Sequence, residues 1–88
     1  MNRAAPQRPP MGCLDMIELG ARKMTIQTEF FPRPDWRIET KIYLGGALKK
    51  VYTDDLIGVV EADLQGRVTA HHEERMKQLV ESLKAKSG

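Results

Sequence analysis

Hydrophobic and polar positions alternate most strictly between Trp36 and Leu44. Trp36, Ile38, Thr40, Ile42 and Leu44 take one side, and Arg37, Glu39, Lys41 and Tyr43 the other. A period of two marks a strand with one buried face. Gly45-Gly46 follow, and a glycine pair accepts the positive φ of a tight hairpin turn. Residues 47–53 then read as the return strand. A two-residue loop sets Leu44 opposite Ala47, Ile42 opposite Lys49 and Thr40 opposite Val51, at the cost of facing Lys41 with Lys50. A longer loop with a bulge pairs Ile42 with Val51 instead, so the register stays open. Upstream, residues 25–31 alternate more weakly and read as an edge strand that stops at Pro32-Arg33-Pro34.

The period changes after Asp54-Asp55. Residues 60–86 contain no proline, and the second half is rich in strong helix formers. At about 100° per residue, Val68, His72, Met76, Leu79, Val80 and Leu83 form one apolar stripe, with Glu74, Lys77, Glu81 and Lys84 turned away from it. Asp54, Asp55, Glu61 and Asp63 precede the stripe and Lys84 and Lys86 end it, a gradient that complements the helix macrodipole. Gly66 offers a break point; a single helix is the reading adopted. Such a helix spans roughly 40 Å, whereas an eight-residue strand reaches only about 26 Å. The stripe near the C-terminus therefore outruns the hairpin, and an exposed apolar seam is the mark of an interface. The expectation is a homodimer joined through Val68, His72, Met76, Leu79, Val80 and Leu83.

Residues 1–23 show neither period. Three prolines fall within the first ten positions, and strong hydrophobes are sparse, so this stretch is expected to be a flexible tail ahead of one small domain over residues 24–88. The fold class is α+β: a β-hairpin or three-stranded antiparallel meander followed by one long amphipathic helix. The chain has 88 residues and one cysteine, Cys13, which rules out an intrachain disulfide and fits a reducing, cytoplasmic setting. No apolar run is long enough to cross a membrane as a helix. The net charge of +2 does not by itself imply nucleic acid.

Candidate chemistry is thin. His71 and Glu74 lie three apart, but a metal site needs three or four ligands at diagnostic spacing, so no metal or other cofactor is expected. In a dimer, His72 would lie at the seam, where protonation would weaken association. Cys13 has no positioned histidine beside it in sequence, and no nucleotide fingerprint or Ser–His–Asp pattern occurs, so no catalytic residue is assigned. The hairpin offers a different surface: Arg37, Lys41, Tyr43, Lys50 and Tyr52 combine charge with rings, as single-stranded nucleic acid requires. Residues 24–53 carry five bases against three acids, so that excess is small. The sequence thus points to a non-enzymatic binding or scaffolding protein that works as a homodimer on an unknown protein partner. Weak single-stranded nucleic-acid binding through the hairpin is the alternative.

Overall fold

The computed structural model describes residues 4–87. Four strands, β1 (Cys13–Leu19), β2 (Arg22–Phe31), β3 (Arg37–Leu44) and β4 (Ala47–Asp55), form one antiparallel sheet in sequence order. A 3-10 turn (Glu61–Asp63) leads into a single helix, α1 (Leu64–Ser87), which continues through Gly66. The α+β class and the C-terminal helix stand as read from the sequence. The strand count is four, not two or three, because residues 13–19 pair with β2 from Cys13↔Thr28 to Leu19↔Arg22.

That pairing corrects the expected tail and the boundary at residue 24, since β1 and the first residues of β2 lie before it. Gly20 turns the chain between them with φ +63°, a region open to glycine at no steric cost. Residues 4–12 are also held. The backbone N–H groups of Gln7 and Arg8 donate to the Glu61 carboxylate at 3.2 Å each, and Met11 N–H donates to Gln65 Oε1 at 2.8 Å. Trp36 Nε1 donates to the Ala4 carbonyl at 2.9 Å. None of these partners is local, so no periodicity announces them.

Gly45 and Gly46, at φ +59° and +86°, close the two-residue hairpin turn and set Leu44 opposite Ala47. The register beyond it matches neither alternative. A bulge next to Ile42 and Tyr43 leaves Lys49 without a partner on β3, pairs Ile42 with Lys50, and moves Lys41 opposite Val51. The two lysines that a regular ladder would have opposed are thereby separated.

Among the described residues, only one face of the sheet is covered. Trp36, Ile38, Leu56, Leu64 and Val68 form the buried cluster, flanked by Phe30, whose ring meets that of Trp36 edge-on at 5.8 Å. Ile26 and Ile42 extend this face, and Thr28 and Thr40 are enclosed within it. The alternation in β3 therefore reads correctly: Trp36, Ile38, Thr40 and Ile42 turn inward. Among the described residues, no helix is long and apolar enough to cross a membrane.

Leu64 sits at the start of α1, wholly inside this cluster. Leu64→Ala should cost about 2–5 kcal/mol of unfolding free energy, read from the midpoint of a denaturant titration. Ile57→Ala, at an exposed position, should change it by less than about 0.5 kcal/mol.

Candidate functional site

Three buried polar side chains and one half-exposed carboxylate form a line across the fold. Asp15 on β1 pairs with Ile26, so its side chain shares the covered face, where a hydrophobe would be expected. Its Oδ2 lies 2.6 Å from His72 Nε2. His72 Nδ1 lies 2.7 Å from Thr28 Oγ1, which lies 2.7 Å from Thr40 Oγ1. With neutral His72, one direction satisfies every atom: Thr40 donates to Thr28, Thr28 to Nδ1, and Nε2–H to the Asp15 carboxylate. Carboxylate, imidazole and hydroxyl follow in the order that activates a nucleophile. Here, however, Thr28 is fully buried and its oxygen is shared with Thr40. A hydroxyl so enclosed has no space for a substrate, and the line works as a staple joining three strands to the helix.

His71 is also buried, with Nδ1 3.6 Å from Asp54 Oδ2 and Nε2 without a hydrogen-bond partner among the described residues. Burial holds its pKa below the ordinary value, and the Arg75 charge adds to this, while Asp54 pulls the other way. Cys13 lies half-buried near Asp15, Thr69 and Glu73. Burial, then the two carboxylates, raise its pKa, with a smaller opposing effect from Thr69, so the thiol stays protonated and unactivated. Among the described residues, no group of three or more His, Cys, Asp or Glu side chains is placed to hold a metal ion.

The helix seam divides in two. Val68 and His72 face the chain's own sheet and are buried there. Met76, Leu79, Val80 and Leu83 are half-buried. The hairpin set divides as well. Arg37, Lys41 and Tyr43 lie on the uncovered face, whereas Tyr52 pairs with Thr40 and Lys50 with Ile42, which turns both toward the helix. Arg37 is engaged within the chain, donating to Glu39 Oε2 at 2.9 Å and lying 4.8 Å from the Phe31 ring centre. Glu29 and Glu39 stand opposite each other on that face. The five residues therefore make no single basic and aromatic surface.

Sequence reasoning missed the apolar content of the uncovered face. Cross-strand partners share a face, and Met16, Thr25, Tyr43 and Leu48 form one rung across all four strands, with Leu14, Gln27, Lys41 and Val51 in the next. Leu14 and Met16 are each 63% exposed, Leu48 51% and Val51 44%. The signal was present as hydrophobes at positions 14 and 16 and at 48 and 51, but it reads as outward-facing only once the register is known. Comparison with protein-family models, with curated proteins and with solved structures gave no match to this chain.

Two outcomes follow from the interior groups. Thr28→Val keeps the volume but strands His72 Nδ1 and Thr40 Oγ1, so it should lower stability by roughly 1–3 kcal/mol. Adding Thr40→Val should cost less than the sum of the two single changes in a double-mutant cycle, because the second partner is already lost. For His71, the depressed folded-state pKa means that the unfolded chain takes up the proton first as pH falls. Stability conferred by neutral His71 is therefore complete above the ordinary histidine value of 6.5 and declines as pH drops below it. The denaturation midpoint should fall between pH 7 and pH 5, and less steeply in His71→Leu.

Proposed function

We propose that this chain is a binding or scaffolding protein that acts as a homodimer and carries no catalytic step of its own. The observation that carries this reading is the uncovered sheet face, where Leu14 and Met16 at one edge and Leu48 and Val51 at the other are 44–63% exposed, with Tyr43 on the rung between Met16 and Leu48. Large exposed apolar side chains on a single face suit a contact surface. A two-fold dimer buries such a face against its own copy with one set of residues serving both sides. The C-terminal half of α1, with Met76, Leu79, Val80 and Leu83, is the second surface available for this. Its side chains are half-sheltered, so burying them removes less apolar area from water than burying the sheet face. Supporting the non-enzymatic part are an enclosed hydroxyl at Thr28 and a thiol held in its protonated form at Cys13.

Sedimentation equilibrium tests this reading. The protein should run at about 20 kDa, twice the 10.0 kDa of one chain. Met16→Glu and Val51→Glu should each return it to the single-chain mass with the fold intact by circular dichroism, while Val80→Glu and Leu83→Glu leave the dimer in place. Dissociation by the helix substitutions and not by those of the sheet would move the interface to α1. A single-chain mass at millimolar concentration would remove the dimer altogether.

A further inference from the structure

Between β4 and the second half of α1 lies an open cleft of about 320 Å³, lined by Ile42, Lys49, Lys50, Tyr52, Arg75, Gln78, Leu79 and Ser82. Its lining contains three cations and no carboxylate. Asp54, 3.6 Å from His71, and Glu74, which accepts from Gln78 Nε2, flank the cleft without lining it. Two features aim the charge inward. The bulge in β4 leaves Lys49 unpaired beside Lys50, so consecutive lysines, which a regular strand sends to opposite faces, both border the cleft. Arg75 is anchored with its guanidinium 4.5 Å from the Tyr52 ring centre and Nη1 donating to Gln78 Oε1 at 2.8 Å. Lys50 Nζ lies 5.2 Å from the same ring. Among the described residues, Arg75 Nε is enclosed without a hydrogen-bond partner.

The geometry points to a binding site for a small phosphate monoester. Arg75 and the two lysines meet the phosphate, Gln78 and Ser82 supply neutral polar groups, and Ile42 with Leu79 receive the apolar body. Arginine offers a planar fork of donors and lysine a compact charge, the pair of cations suited to a dianionic phosphate. The cleft volume falls at the lower end of the range for small-molecule sites, which fits a ligand of mononucleotide size. This inference is independent of a homodimer through the uncovered sheet face, because the cleft lies on the helix side of the sheet.

The test is a titration of the whole protein followed by amide and methyl NMR shifts. Probes are adenosine monophosphate, inorganic phosphate, succinate and a twelve-residue single-stranded oligonucleotide. Expected are saturable shifts at Ile42, Tyr52, Arg75 and Leu79 with adenosine monophosphate, at least tenfold weaker binding of inorganic phosphate, and weaker binding still of succinate. Arg75→Gln should raise the Kd at least tenfold. So should Lys49→Gln with Lys50→Gln, a pair of exposed positions where loss of folding cannot confuse the result. Lys77→Gln, exposed on the opposite side of α1, should leave the Kd within twofold. Absence of saturable shifts, an equal loss in Lys77→Gln, or tighter binding of the oligonucleotide than of the mononucleotide would each overturn the assignment.

Discussion

A single helix covers one face of a four-stranded sheet, and α1 is the one long helix among the described residues. The inward residues of β2 and β3 meet Leu64 and Val68 and leave water, and burial on that side supplies the main driving force for the fold. The other face keeps its side chains in solvent, including four large hydrophobes. Antiparallel sheets tolerate one wet face when that face is polar. Here it is polar in the middle, with Gln27, Glu29, Glu39 and Lys41, and apolar toward both edge strands.

The covered side is not uniformly apolar. Asp15, His72, Thr28 and Thr40 run through it in one hydrogen-bonded line that ties β1, β2 and β3 to α1. Hydrophobic contact alone is tolerant of sliding, whereas a line of donors and acceptors at 2.6–2.7 Å fixes where the helix sits on the sheet. It also anchors the first half of β1, whose inward positions there are Cys13 and Asp15, while the half-buried Ile17 and Leu19 hold the second half. The interior histidines are accordingly parts of the frame.

How much of this was legible in the sequence depended on where the partners lie. β3 and its turn were readable because Trp36, Ile38 and Ile42 alternate with charge and Gly45-Gly46 follow at once. The helix was readable from its period, and Gly66 did not break it, because Leu64 on one side and Val68 on the other are both packed. β1 was not readable: in its first half Leu14 and Met16 face solvent while Asp15 faces in, which inverts the usual signal and leaves only Ile17 and Leu19 in step with it. His72, 57 residues away, pairs with Asp15, whose side chain also keeps 53% of its surface in solvent. The seam was half readable, since spacing placed Val68 and His72 with Leu79 and Leu83 but could not say which of them the chain's own sheet encloses. The basic hairpin surface failed on register, because the bulge at Lys49 and the pairing of Tyr52 with Thr40 send Lys50 and Tyr52 to the helix side.

The uncovered sheet face as the meeting surface of two copies is the central claim, and methyl contacts between chains test it most directly. In an equimolar mixture of isotope-labelled and unlabelled protein, a filtered nuclear Overhauser experiment reports only contacts that cross from one chain to the other. The account predicts cross-chain signals among the methyl groups of Leu14, Met16, Leu48 and Val51 and none from Met76, Val80 or Leu83. Signals confined to the three helix residues, or no cross-chain signal at millimolar protein, would contradict it.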